Sequence, residues 1–340
     1  MNFNASETGE NIEFLRNICI HMNRYIPIIY LPIGIIGNLL NILTFTRRSL
    51  RNNACTIFLF YSSIANIFHL TFGLITRIII DQYHYDIEGL SLTFCKFKYY
   101  IMYISASLSL YFVLLASINR YHQSKSNSRQ WCCIQFLSPH RICLLIIVIN
   151  CLIYIHIPIL FHIQRIETSS KTLKLICYVN KGPYRIFLDI YLIITWSFLS
   201  PCLMLLFGLL TIRNLRVIKI QASTASNNHH RRNARKKLDV QLVCMIFLQI
   251  IVICCSTFPF GIQKIVSTLN IAKTDYRLAV EDFVLCVTRL FSFTNSAFCF
   301  FFYILTSQKF RSELWNCIER PFVWVWQEKN KIFFSFSHSS

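Results

Sequence analysis

The side chains of this chain best placed to do chemistry are cations set in apolar sequence. Arg77, Arg120 and Arg289 lie inside or at the ends of long apolar runs, and Lys98 opens another. A cation in such surroundings costs free energy unless it pairs, binds an anion or reaches a polar interface. Arg77 stands four residues before Asp81, within salt-bridge reach on one helical face. The alternative partner is an anionic group on a bound molecule, such as a carboxylate or sulfate. Cysteines number 15, but Cys132-Cys133 and His229-His230 lack the spacing of a zinc site. There is no phosphate-binding loop, GxSxG elbow or HExxH helix, nor any pairing of nucleophile and base. Enzymatic chemistry is not expected, and no cofactor is implied.

The elements that carry these residues are dictated by hydropathy. The chain is 54% apolar and 14% charged, against about 45–50% and 25% in average soluble domains, and its mean hydropathy is +0.47. Charge-free runs of 22, 25, 21, 23, 23 and 24 residues lie between Arg24 and Arg47, Arg51 and Arg77, Lys98 and Arg120, Arg141 and Arg165, Asp189 and Arg213, and Asp239 and Lys264. A seventh, Phe283 to Gln308, holds only Arg289. A membrane helix needs about 20 largely apolar residues, and helices satisfy their own backbone in lipid. The expected fold is an all-α membrane protein of seven transmembrane helices. The net charge of +19 follows from loops at a membrane surface, with no nucleic acid among the expected partners.

Basic residues orient the bundle. The loops at 47–55, 120–141 and 213–237 and the tail from 306 hold 20 basic and four acidic residues when Asp239 is included; the opposite side holds 13 and 11. The amino terminus is therefore expected outside a plasma membrane and the carboxyl terminus in the cytoplasm. Residues 1–25 read as an outer tail, 26–306 as the seven-span domain, 307–319 as an amphipathic helix on the membrane and 320–340 as an inner tail. Asn4 begins the single N-glycosylation sequon, on the outer side. The basic run HHRRNARKK reads equally as lipid-headgroup attraction and as a partner surface.

Several residues resemble the rhodopsin-like (class A) G-protein-coupled receptors. Gly37-Asn38-Leu39-Leu40-Asn41 resembles the first-helix GNxxN pattern, and Asn119-Arg120-Tyr121, 25 residues after Cys95, resembles Asp-Arg-Tyr. Pro201 and Pro259 match the fifth- and sixth-helix prolines, and Asn295-Ser296 followed by Tyr303 is similar to the seventh-helix motif. Departures are Asn119 and Asn66 in place of aspartates, Thr257 in place of a tryptophan, and Cys299-Phe300 in place of Asn-Pro. The resemblance implies a receptor that couples an extracellular ligand to a heterotrimeric G protein. It also implies a Cys95–Cys177 disulfide and a switch at Asn119, Arg120, Tyr121, Asp239 and Tyr303. Arg120 and Asp239 are expected to pair when inactive. Asn66, Ser109, Asn295 and Ser296 are expected to converge as a hydrogen-bonded network in which no carboxylate remains for sodium.

The same resemblance places Arg77, Arg289 and Met102 in the outer cavity and Lys98 near its rim. Met102 stands where amine receptors have an aspartate, and Phe293 where opsins have the retinal lysine, which argues against both ligand classes. Leftover Cys19 has Cys286 as a candidate partner. Residues 172–182 suggest a strand with a turn at Asn180-Lys181-Gly182, similar to the hairpin of peptide receptors. Phe310, Leu314, Cys317 and Ile318 recur at helical spacing, and Cys317 is a candidate palmitoylation site. The reading is a receptor for a neuropeptide-like ligand. Its alternatives are a small-molecule chemosensory receptor of the same fold and, further off, a seven-span channel or transporter.

Overall fold

The computed structural model describes residues 5–83, 89, 91–124, 138–167, 173–180, 182–222, 229–268 and 274–319. Asn4, the loop at 125–137 and the tail from 320 lie outside these, as do the side chains of Asp81 and Asp239.

Among the described residues, seven helices are long and apolar enough to cross a membrane: Gly9–Phe45, Ala54–Ile80, Leu92–Gln123, Pro139–Leu160, Pro183–Leu215, Gln241–Val266 and Asp275–Thr306. They are called spans one to seven below. Each contains much of one charge-free run, but several continue beyond it. Span three begins before Lys96 and Lys98, and span seven begins at Asp275, where the Thr274 side chain accepts the amide of Arg277. Helix one is continuous from Ala5 to Phe45 and passes through the expected tail boundary at residue 25. Formal charge therefore marks where apolarity ends, not where helical hydrogen bonding ends.

Span four ends earlier than its charge-free run. Pro158 cannot supply an amide to the turn before it, and the helix is interrupted at Tyr154, with φ −89° and ψ 4°. It resumes for His156–Leu160 and leaves helical geometry at Phe161. Residues His162–Glu167 then form strand β1, paired antiparallel with strand β2, Leu173–Tyr178. The expected strand around Cys177 is present, but the hairpin is closed with the segment before it. Gly182 instead leads into span five, which starts with Pro183 in its first turn.

Spans two and five each contain a π-helical turn, Thr71–Ile75 and Ile193–Leu199. In span five the Ser200 hydroxyl donates to the Thr195 carbonyl at 2.8 Å, beside Pro201. Span seven breaks at Ser307, and residues 308–319 form a further helix. The Ser307 hydroxyl oxygen accepts the Phe310 amide at 3.2 Å, an N-cap that fixes the bend. Phe310 is buried against Phe45, Phe300 and Tyr303, whereas Trp315 and Ile318 are exposed. The expected amphipathic helix is thus docked by its first turn. Glu313 accepts the Ser49 hydroxyl at 2.6 Å and lies 3.8 Å from Arg47, which ties this helix to the first loop.

Span three is the most buried, and its contacts with span two are the most extensive in the bundle. Span four presents Leu144, Leu145, Val148, Ile149 and Leu152 outward, each about half exposed. Such an apolar wall would drive association in water, and lipid solvates it.

Candidate functional site

Span three carries polar contacts at three levels along its length. At the hairpin end, the Cys95–Cys177 disulfide joins span three to β2. Around it pack Tyr99, Tyr103, Phe161 and Tyr178, all in ring contact with one another or with Trp196 and Tyr154. Trp196 Nε1 donates to Ser107 Oγ at 2.8 Å and lies 3.0 Å from Tyr154 Oη. Spans three, four and five therefore share one polar node within an aromatic cluster. A second tie at this end joins spans five and six to the hairpin. Tyr178 Oη donates to Asp189 Oδ1 at 2.9 Å, and Lys264 Nζ lies 3.2 Å from the same oxygen. Burial and the neighbouring carboxylate push the Tyr178 phenol well above its ordinary range. Neither tie was anticipated from sequence: Lys264 and Asp189 read there only as the ends of apolar runs.

Midway along span three, Ser109 Oγ donates to Asn66 Oδ1 at 2.5 Å, and Asn66 Nδ2 donates to Asn38 Oδ1 at 3.3 Å. Asn38 Nδ2 donates to the carbonyls of Gly34 and Ser296 at 2.7 and 2.8 Å, and His69 Nδ1 lies 3.1 Å from Ser296 Oγ. Three of the four expected residues converge. The fourth, Asn295, is buried but its Oδ1 has no hydrogen-bond partner among the described residues. Its place is taken by Cys299, whose thiol donates to Asn38 Oδ1 at 3.2 Å and accepts from Asn41 and Asn66. Cysteine is a small hydrophobe with a weak donor, so sequence pattern pointed to a lost motif residue and not to a hub.

At the opposite end from the hairpin, Arg120 is 3% exposed and its Nη1 donates to Gln123 Oε1 at 2.8 Å. Tyr121 packs on Phe207 of span five. Asn119 Nδ2 is buried with no hydrogen-bond partner among the described residues. One turn beyond, Asn214 Nδ2 of span five donates to Ser124 Oγ at 3.0 Å. The expected Arg120–Asp239 pair involves a side chain outside the described residues. What is placed is a different tie between spans six and seven: Tyr303 Oη donates to Gln249 Oε1 at 2.9 Å, both side chains fully buried. Gln249 carried no motif signal in the sequence.

A family model completes this arrangement. The model of the 7 transmembrane receptor (rhodopsin family) matches residues 37–299. The chain belongs to that family. A comparison with curated proteins gives no match. This receptor is accordingly a multi-pass membrane protein with a role in signalling, and its matched region runs from the GNxxN segment to Cys299.

Within the receptor, the remaining candidate residues are distributed unevenly. Pro201 and Pro259 both lie in helical segments of spans five and six. Lys98, expected near a rim, is 4% exposed, with its ammonium 4.8 Å from the centre of the Tyr99 ring. Met102 is half-buried against the core. Arg77 Nη1 donates to Asn23 Oδ1 at 3.3 Å, and its expected contact with Asp81 falls on a side chain outside the described residues. Arg289 Nε is buried with no hydrogen-bond partner among the described residues. Cys19 and Cys286 are brought together but are not bonded, the Cys286 thiol lying 3.9 Å from the Cys19 carbonyl oxygen. Cys317 is half-buried, its thiol 4.0 Å from the Leu43 carbonyl.

Proposed function

We propose that this receptor binds an extracellular ligand, peptide-like in character, at the hairpin end and transmits its occupancy to a heterotrimeric G protein at the end bearing Arg120. The observation that carries the reading is the layout of span three. It holds the disulfide to the hairpin at Cys95 and a buried arginine 25 residues later. At 1.5 Å per residue these are about 37 Å apart, the thickness of a bilayer with part of its interface. One rigid element therefore reaches both surfaces, and between them it is tied through the Asn66–Ser109 bond to the network that joins spans one, two and seven.

Mechanistically this is a population shift. Ligand and G protein both favour one arrangement of spans six and seven, and each raises the other's affinity by the same factor. Movement of span six would break the Gln249–Tyr303 bond and open the Arg120 end to the partner. The excess of basic residues at that end supports a cytoplasmic carboxyl terminus in the plasma membrane and an outward amino terminus with Asn4 glycosylated. The hairpin supports a peptide ligand, since its strands offer main-chain groups to an extended chain. Cys317, on the short helix that follows span seven, is the proposed palmitoylation site.

The test is nucleotide exchange on a panel of G proteins in membranes containing the receptor, stimulated by a neural and epithelial tissue extract. Stimulation that vanishes after protease digestion and in Arg120→Ala is expected. Stimulation that survives digestion would replace the peptide with a small molecule. Equal stimulation by Arg120→Ala would remove the G-protein role assigned to that residue.

A further inference from the structure

Spans one, two and seven bring cations together at the hairpin end of the bundle. Cys19 and Asn23 lie one turn apart on one face of span one, and Asn23 Oδ1 holds Arg77 of span two. Cys19 faces Cys286 of span seven, which lies one turn before Arg289 on the same face. Arg77 and Arg289 are consequently close enough to act electrostatically on one another; among the described residues Arg289 also feels Tyr99 and Cys286, the latter as a hydrogen-bond partner, while Asp282 acts on the adjoining Cys19. The nearest acids along span seven, Glu281 and Asp282, sit two turns outward, and Glu281 is engaged by Arg277 at 3.3 Å. Arg24, next to Asn23, also has a buried Nε with no hydrogen-bond partner among the described residues.

Two guanidinium groups held together in a poorly hydrated place repel each other, and a buried N–H without an acceptor forfeits its hydration. An anion relieves both. We propose that Arg77 and Arg289 form a binding site for a carboxylate or sulfate group, and that this group belongs to the activating ligand. Each guanidinium presents a planar fork of donors matched to two oxygens of such a group. The Asn23 amide orients Arg77. The ligand assignment rests on the signalling role proposed above; the anion site itself does not.

The first measurement therefore needs no G protein. Thermal unfolding of the purified receptor in nanodiscs of zwitterionic phosphatidylcholine is followed as inorganic sulfate replaces chloride at constant ionic strength. The midpoint should rise and saturate, as binding to the folded state alone requires. In Arg77→Gln and Arg289→Gln the apparent affinity should fall about 10- to 100-fold, leaving only the gradual rise that sulfate exclusion gives any protein. Arg289→Lys, which keeps the charge but not the fork, should fall between. Without sulfate, Arg289→Gln should melt no lower than the parent, because a repulsion has been removed. An identical sulfate response in parent and variants, or a variant that melts far lower without sulfate, overturns the site.

The second measurement tests the ligand. Exchange-stimulating activity in the extract should be retained on an anion-exchange resin and lose about 10- to 100-fold in potency on Arg289→Gln. Unchanged potency overturns the ligand assignment. An Arg289-dependent stabilisation produced by phosphatidylglycerol nanodiscs without sulfate also overturns it, in favour of a lipid headgroup. A saturable sulfate response with no exchange from any extract or G protein upholds the anion site and refutes the signalling proposal.

Discussion

The Tyr303–Gln249 bond makes a quantitative prediction about what joins spans six and seven. Tyr303→Phe removes the hydroxyl whose hydrogen Gln249 Oε1 accepts at 2.9 Å. Gln249 is fully buried and its Nε2 has no hydrogen-bond partner among the described residues. The substitution therefore strands both ends of a buried amide. A buried polar group left without its partner costs about 1–3 kcal/mol, more than the roughly 0.5–1.5 kcal/mol net value of the bond itself. Tyr303→Phe is expected to cost about 2 kcal/mol. Gln249→Leu strands only a hydroxyl and also removes the unpaired Nε2, so its cost should be smaller, about 1 kcal/mol. The double variant removes both members of the polar pair from a place lined by Phe45 and Phe310. It should cost less than the sum of the single variants by about 1–2 kcal/mol. The assay is equilibrium unfolding in mixed detergent micelles of graded denaturing strength, with all four receptors compared. Additivity within about 0.5 kcal/mol, or a costlier Gln249→Leu than Tyr303→Phe, would refute the reasoning. If span six moves on activation, basal nucleotide exchange should rise with the same variants, about tenfold for each 1.4 kcal/mol lost from the resting arrangement.

Four further perturbations probe other contacts. A Cβ at Gly34 meets the Leu70 side chain and the Ala297 Cα at 3.0 Å, so Gly34→Val should force spans one and seven apart, cost about 1–3 kcal/mol or more and reduce surface expression in a flow-cytometric assay. Asp189→Asn should lower the thermal midpoint by weakening both the Tyr178 and Lys264 contacts, a loss of about 1–2 kcal/mol once the partial exposure of Lys264 is allowed for. Because the Tyr178 phenol is held above its ordinary range, its contribution should be constant below about pH 10, where the unfolded side chain titrates, and be lost as pH rises toward the folded value. The difference in stability between parent and Tyr178→Phe across that range checks the sign. Agonist affinity should be the same in sodium and potassium at equal ionic strength, since Asn66 offers an amide, and Asn66→Asp should create a sodium dependence measurable by radioligand binding.

Much of the architecture was legible before any tertiary contact was known. A span is a contiguous property: its apolar run is read along the chain, and lipid requires the backbone to close its own hydrogen bonds. The pairing of Cys95 with Cys177 and the gathering of Asn66, Ser109 and Ser296 were reached through resemblance to the family, whereas Asn295, expected with them, does not join and Asn38 and Cys299 do. Errors arose where local signals competed. The fourth run overshot its helix because His162 to Gln164 are uncharged yet belong to β1, and the turn at Asn180 to Gly182 was read as closing a hairpin whose actual partner strand comes earlier.

Sequence alone determined that this chain crosses a membrane seven times, because burial in lipid depends on the composition of each helix and not on its neighbours. It could not determine which side chains meet across helices. Cys299 contacts Asn66 across 233 positions, Tyr303 meets Gln249 across 54, and Arg77 is held by Asn23 across 54. Each helix is free to rotate about its axis until packing chooses a face, and small residues at close crossings such as Gly34 against Ala297 make that choice. Only the packed bundle turns Cys299 into a hub and Gln249 into a clasp.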